Sequence, residues 1–366
     1  MIKIIFIFLL SASTFVGIAQ TDRQNILKNN LSKNGKDSIV LSKQIDALLK
    51  KEYLNKKFNG NVLVVQNDKV LYKKSFGYAD PQQKIKLSQD FKFQIGSVYK
   101  EFVAVAIMQL YEKKLIDLED SVNKYIPELP IWSRDVSIKH LLQYSSGLPE
   151  IQFQKYLPNI VTLKDVYNDI LTTKNLQFKP GTSYLYTNNS PILLMKIVEN
   201  VTHQNFTDYA KLHLFNSDNI EIKDKYPYFD SNLMAIPFDV EYKADPYKFE
   251  LPFLFVSNVQ GLYDWFQRIH NNSLISQNSK LFLRKTADVM VNQFMQSPLG
   301  IIRICQEPVS GFMTIVEHTH DGSMGNYKCI ARRFNTLNLY VIILTNQDNN
   351  NVYPISDEIY KIVKKK

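Results

Sequence analysis

The sequence predicts an α+β fold: an antiparallel sheet built from both ends of the chain, helices on both of its faces, and a mainly helical subdomain to one side. Three observations carry this. Near the front, GNVLVVQNDKVLYKKSFGYAD holds two β-rich runs parted by Asn67-Asp68, which reads as a hairpin. At the back, GFMTIVEHTH, NYKCIARRF and LNLYVIILTN are strand-like runs. Between them, residues 120 to about 300 read mainly as helices and long aromatic-rich loops, and strands at both ends around such a middle suggest one shared sheet.

Taken in order, the chain begins MIKIIFIFLLSASTFVGIAQ, where Lys3 precedes an apolar run and small residues stand at Gly17 and Ala19, the build of a secretory signal peptide over residues 1–19. The rival reading, a retained anchor, needs roughly 20 apolar residues, more than this run offers. Residues 20–38 form a polar Asn/Lys-rich lead, and the main domain is expected over 39–363 with its helical insertion at about 120–300. SKQIDALLKKEYL has apolar positions at helical spacing and should lie against the body of the domain. GSVYKEFVAVAIMQLYEKK is apolar on nearly every side from Phe102 to Leu110, so its helix should be buried. The stretch from Tyr226 to Phe255 reads as a loop of the kind that builds binding sites. The chain closes on an amphipathic SDEIYKIVKK helix with Ser356 as its N-cap.

The 366 residues carry a formal charge of +9, but the lysines are scattered in ones and twos except in the terminal KIVKKK. No basic stripe emerges, so the charge describes a solvated surface and no nucleic-acid partner is expected. Cys305 and Cys329 are the only cysteines, in a chain expected to be exported, where a disulfide survives; their pairing stays open.

Three short motifs carry chemistry. Ser97 and Lys100 stand three apart at the start of the buried helix, so a hydroxyl and an amine share one side of it. Partial desolvation of that amine would lower its pKa toward that of a working base. Ser121 to Lys124 repeats the spacing, but follows acidic residues and precedes a proline-rich turn. Tyr186-Thr187-Asn188 lies just ahead of a helix that Ser190 is expected to cap and Pro191 to start, which would fix a phenol and an amide in place. Tyr53-Leu54-Asn55 matches too, in a charged amphipathic helix where a surface position is expected. His320-Asp321-Gly322 ends a strand: Gly322 removes a side chain where a substrate backbone comes close, and the N–H of Ser323 faces a developing oxyanion. His318 and His320 share a strand face, but Gly322 occupies the place where the H-x-H-x-D-H zinc pattern has its Asp, so no metal is expected. Two ordinary strand histidines remain the plainer alternative. Trp132 and Trp265 read as packing anchors, and Glu150 as a residue of the cleft rim or of solvent.

In order, FQIGS-VYK around Ser97, HLLQYSSGLP, PGTSYLYTN around Tyr186 and HDGS at His320 resemble the penicillin-recognising serine hydrolases of the class C β-lactamase type, which include DD-peptidases, D-aminopeptidases and esterases. The likeness runs from about Ile39 to Val363 and implies a β-lactamase/transpeptidase-like fold. It implies Ser97 as acylated nucleophile, Lys100 and Tyr186 sharing the proton work, Asn188 orienting a substrate amide or ester, and His320 in the place of the lysine of K-T-G. The Ser97 and Ser323 N–H groups would form the oxyanion hole. Neither metal nor organic cofactor is implied. Asp321 departs from the hydroxyl of many relatives and would repel a substrate carboxylate if it faced the cleft; a partly charged His320 attracts an anion less reliably than lysine. Both point away from efficient penicillin hydrolysis and toward an ester, a neutral amide or an amine-bearing peptide. The expected protein is therefore an exported serine hydrolase of the bacterial periplasm or exterior, acting on a small-molecule or peptide substrate, cell-wall fragments included, without stable membrane insertion and with its oligomeric state open. The rival class is a catalytically silent binder of cell-wall fragments or β-lactams with the same fold.

Overall fold

The computed structural model describes residues 37–365, apart from residues 83, 228–232, 240, 242, 244–247, 307–312 and 349–350. The expected leader at 1–19 and nearly all of the polar lead lie outside the described residues. Helix α1 (residues 37–54) precedes β1 (Gly60–Gln66), β2 (Lys69–Phe76), a ribbon of β3 (Tyr78–Asp80) and β4 (Ile85–Lys86), and β5 (Phe93–Gln94). A 3₁₀ turn, Gly96–Val98, runs into α2 (Tyr99–Glu112), followed by α3 (Ile138–Leu142), β6 (Val161–Thr162), α4 (Leu163–Thr172), α5 (Asn189–Thr202) and α6 (Phe206–His213). Then come β7 (Ile220–Tyr226), β8 (Phe249–Ser257), α7 (Val259–His270) and α8 (Gln277–Leu283). The chain returns through β9 (Ile301–Gln306), β10 (Met313–Met324), β11 (Tyr327–Phe334), β12 (Leu339–Thr345) and α9 (Val352–Lys364).

The main sheet has the order β2-β1-β12-β11-β10-β9 and each of its pairings is antiparallel. The join between the two ends of the chain is β1 on β12, with Gly60 opposite Thr345 and Gln66 opposite Leu339. Asn67 and Asp68 both have positive φ, as a two-residue hairpin turn with the right twist requires. Side-chain alternation along the strands sorts the core into two layers. Val62, Val64, Val341 and Ile343 pack with Ile45 and Leu49 of α1 and Ile355 and Ile359 of α9. Leu63, Val65, Ile342 and Leu344 face the other way, into a larger core shared with α2, α5 and α7. Each such aliphatic side chain contributes about 1.5–3 kcal/mol by leaving water. In α2 every residue from Phe102 to Met108 is buried, as its all-round apolar sequence requires, and Tyr99, Lys100 and Glu101 of its first turn are buried with them.

Three expectations are corrected, and the open cysteine pairing is resolved. The middle of the chain holds a second sheet, β5-β8-β6 with β7 also on β8, so the stretch from Tyr226 to Phe255 includes most of a strand. Helix α5 starts at Asn189, ahead of Ser190. Helix α9 starts at Val352, and Ser356 lies inside it, buried and accepting a hydrogen bond from Arg332 Nη1 at 3.0 Å. Cys329 is a free buried thiol: it pairs across the sheet with Gly322 whereas Cys305 pairs with Thr314, eight positions along β10, far beyond the reach of a disulfide. Among the described residues no helix is long and apolar enough to cross a membrane.

Candidate active site

Ser97 sits in the middle of the 3₁₀ turn between β5 and α2. The turn is tied to its own strand by Gln94, whose Oε1 accepts the N–H groups of Ile95 at 2.7 Å and Gly96 at 3.2 Å. It is also pressed against β10. Gly96 has φ +51°, and a Cβ there would lie 2.3 Å from Ser323 N; a Cβ on Gly322 would lie 1.9 Å from Ile95 O and 2.9 Å from Ser97 N. Only glycines allow this contact, which brings the backbone nitrogens of Ser97 and Ser323 to one place.

Lys100, in the first turn of α2, donates from Nζ to Ser97 Oγ at 2.9 Å. Its side chain is buried, 3% exposed, with Nζ 4.6 Å from the centre of the Tyr186 ring and 5.1 Å from that of Tyr99. Burial lowers its pKa to about 7, against the opposing pull of the Glu150 and Asp321 carboxylates. At neutral pH a large share of this amine is therefore unprotonated. Loss of solvent pushes the Tyr186 phenol well above its ordinary range, while hydrogen bonding from Ser97 draws it down. The loop carrying Tyr186 is anchored to the segment at 149–150: Thr187 Oγ1 and Asn189 Nδ2 both donate to Pro149 O at 2.8 Å. Asn188 is gripped twice by Glu150, whose Oε2 accepts its backbone N–H at 2.9 Å and whose Oε1 accepts its Nδ2 at 2.6 Å.

On β10, His320 stands opposite Ala331 of the inner core and Asp321 opposite Ile330 of the outer one. His320 is accordingly buried on the α2 side, its Nδ1 paired with Asp321 O at 2.8 Å. Burial holds its pKa below the usual value and Lys100 pushes the same way, against Glu101, so the imidazole is mainly neutral. It lies beneath the open pocket beside Ser97. The Asp321 carboxylate is engaged with the Tyr353 hydroxyl of α9, on the opposite face of the sheet, so it does not stand in the path of a substrate carboxylate. The open pocket beside Ser97 has a volume of about 140 Å³, and its walls include Asn188, Ser323, Phe153, Phe249, Leu254 and Met324.

Ser97, Lys100, Tyr186, Asn188, His320, Gly322 and Ser323 are thus brought to one region. The rival motif copies are not part of it. Lys124 is 58% exposed and pairs with Asp120 at 2.8 Å, while Tyr53 packs against Phe76 from α1. Two features escaped the sequence reading. One is Glu150 as the clamp on Asn188. The other is a buried polar chain behind the site: Glu101 accepts from Trp265 Nε1 at 2.8 Å, its other oxygen pairs with His318 Nε2 at 2.8 Å, and His318 Nδ1 meets His270 Nε2 at 3.0 Å. Both ring nitrogens of His318 are thereby occupied. An acidic residue opening an otherwise apolar helix was the available sign for Glu101.

An antiparallel sheet joined from both ends, with a serine at the head of a buried central helix and a lysine three residues on, gives the chain a β-lactamase/transpeptidase-like fold. Residues 51–223 match the family model described as Beta-lactamase. Penicillin-binding protein 4* of Bacillus subtilis (strain 168) is 32% identical over 163 residues, 43% of this chain and 36% of that protein. The match therefore spans little more than a third of that relative's length. A penicillin binding protein from Bacillus halodurans has the same fold, with a TM-score of 0.71 at 19% identity over 87% of this chain and 98% of that one. So does a D-amino acid amidase from Ochrobactrum anthropi, solved with L-phenylalanine amide, with a TM-score of 0.68 at 16% identity over 89% of this chain and 99% of that one.

Proposed function

We propose that this chain is an exported serine hydrolase that cleaves an amide or ester through an acyl-Ser97 intermediate. The observation that carries the reading is the 2.9 Å hydrogen bond from Lys100 Nζ to Ser97 Oγ, made by an amine whose pKa burial brings to about 7. In its unprotonated form this amine takes the proton of Ser97 as Oγ bonds to the substrate carbonyl carbon. The carbonyl electron pair moves onto oxygen, facing the N–H groups of Ser97 and Ser323. Collapse of the tetrahedral intermediate expels the leaving group, which receives a proton from Lys100 through the phenol of Tyr186 and leaves an ester on Ser97. Water then adds to that ester, gives its proton back along the same path, and Ser97 departs with its hydrogen restored. Tyr186 suits a relay because its raised pKa keeps the phenol protonated.

His320 is assigned to holding the β10 edge in place, and Gly322 to admitting the 3₁₀ turn. The proposal of export is supported by the leader-like residues 1–19, and a periplasmic or extracellular location is proposed with it. Its substrates are small molecules or peptides, cell-wall fragments among them, a class consistent with the penicillin-binding and amidase names of its relatives. The test is covalent labelling with a fluorophosphonate. An adduct mapped to Ser97, absent from Ser97→Ala, is expected. Binding of ligands without any adduct would favour a catalytically silent cell-wall or β-lactam binder instead.

A further inference from the structure

Away from Ser97, basic side chains gather where the ends of α7 and α8 meet the sheet. His318 of β10 stands directly opposite Arg333 of β11, so the two side chains leave the sheet on one face, the face on which His318 meets α7. His270, the last residue of α7, spends Nε2 on His318 at 3.0 Å, which leaves Nδ1 open. Lys280 of α8 is buried, and its Nζ donates to the carbonyl oxygens of Ile269 at 3.2 Å and His270 at 3.1 Å; it closes the C-terminal end of α7 with one N–H unspent. Four residues on, at the end of α8, Arg284 is half-buried and its guanidinium makes no hydrogen bond among the described residues. Arg333 gives Nε to Asn335 Oδ1 at 2.6 Å and Nη1 to the Tyr340 hydroxyl, and keeps Nη2.

These groups lie close enough to act on one another. Burial lowers the Lys280 amine to about 8, and Arg284 and Arg333 push it the same way. Burial and Arg333 bring Arg284 down to about 10. Burial first, then His318, Arg333, Arg284 and Lys280, drives His270 far below its usual range, so its ring is neutral. Among the described residues one carboxylate opposes this, Asp68 of the hairpin turn, and it acts on Arg333 alone. Like charges in a partly dry place repel more strongly than on an open surface. A bound anion would turn each of these repulsions into an attraction.

We propose that Arg284, Arg333, Lys280 and His270 form an oxyanion site, and that its ligand is phosphate or a small phosphate monoester. The open N–H groups belong to a helix and to a strand of the sheet, so they converge from different directions. A carboxylate has two oxygens to offer them, whereas a tetrahedral phosphate has three or more and suits two arginine forks at once. The site is separate from the Ser97 pocket, so the inference stands apart from the acyl-enzyme reading. The hydrogen-bonded chain His270–His318–Glu101 leads from it to the neighbour of Lys100.

The test is titration calorimetry on the full-length protein at neutral pH and fixed ionic strength, with inorganic phosphate, glycerol 3-phosphate and acetate as titrants. At least one phosphate compound should bind at one site per chain, the tighter of the two naming the source as free or esterified phosphate. Acetate should bind at least about 10-fold more weakly, and Arg284→Gln should raise the phosphate Kd by about 10- to 100-fold, the range for losing charge-assisted hydrogen bonds. Lys51→Gln removes the same charge from the exposed face of α1 and should leave Kd within about two-fold, since salt screens so distant a charge. Without phosphate, Arg284→Gln should melt no lower than the wild type, because it relieves repulsion; an arginine that served only the fold would lower the melting temperature. Binding of neither phosphate compound, acetate binding as tightly, or an equal loss in Lys51→Gln would overturn the proposal. So would an unchanged Kd or a lower melting temperature in Arg284→Gln.

Discussion

Replacing Glu101 tests whether the buried polar chain behind the site is built as a unit. Glu101 is fully buried, and each carboxylate oxygen serves one buried donor, Trp265 Nε1 or His318 Nε2, both at 2.8 Å. The His318 ring is stacked on Phe266 with centres 4.5 Å apart, so it cannot swing away to find another partner. Glu101→Ala leaves two buried donors without acceptors, at about 1–3 kcal/mol each. It also opens a cavity, so a total loss of roughly 3–5 kcal/mol is expected, the scale of breaking a buried charged pair. At an m-value of about 3 kcal/mol/M the urea midpoint falls by roughly 1–1.7 M. Glu101→Gln should behave differently. Its oxygen still accepts from Trp265, and its amide can donate to His318 Nε2 once that ring moves its proton to Nδ1, facing His270. Only the charge assistance is lost, about 1–2 kcal/mol. Urea titrations followed by Trp fluorescence and by circular dichroism decide it. Equal losses for the two variants, or less than about 1 kcal/mol for Glu101→Ala, would refute the reasoning.

Three further outcomes follow from the same geometry. A base works unprotonated, so kcat/KM should rise as pH passes upward through about 7, where burial places Lys100. Because the Glu150 carboxylate raises that pKa, Glu150→Gln should move this limb to lower pH, as a pH-rate profile of each protein would reveal. Gly322→Ala puts a Cβ 1.9 Å from Ile95 O, which forces the 3₁₀ turn off β10; fluorophosphonate labelling should slow by about 100-fold or more, the cost of losing an oxyanion donor. On the far face of the sheet, Arg332 bridges Glu317 at 2.6 Å to Asp357 at 2.6 Å, so Arg332→Met should cost about 3–5 kcal/mol and lower the melting temperature by roughly 5–10 °C, while the folded fraction labels normally.

The parts of the fold legible in the sequence were those set by local pattern. The Asn67-Asp68 turn, the end strands and the all-round apolar face of α2 each announce themselves within a dozen residues. Ser97 and Lys100 were legible because one helical turn brings them together. What stayed hidden depends on distant pairing. Strand β8 pairs with β5, β6 and β7, two of its partners only two residues long, so no alternation marks that sheet. Glu150 and Asn188 lie 38 positions apart in loops, and Glu101 and His318 lie 217 apart; neither distance leaves a periodic trace. The two misplaced caps have a common cause, since Ser190 and Ser356 are good capping residues that the fold instead buries inside helices.

The central claim is that a hydroxyl at Ser97 carries the acyl group during turnover. Mixing the enzyme with a slowly deacylated phenylalanine ester, quenching in acid within milliseconds to seconds and weighing the intact protein measures this directly. The account predicts a species heavier by the acyl group alone, located on Ser97 by peptide mapping, appearing faster as pH rises through about 7 and missing from Ser97→Ala. Product formation with no such species at any time, or an acyl group mapped to another side chain, would contradict it.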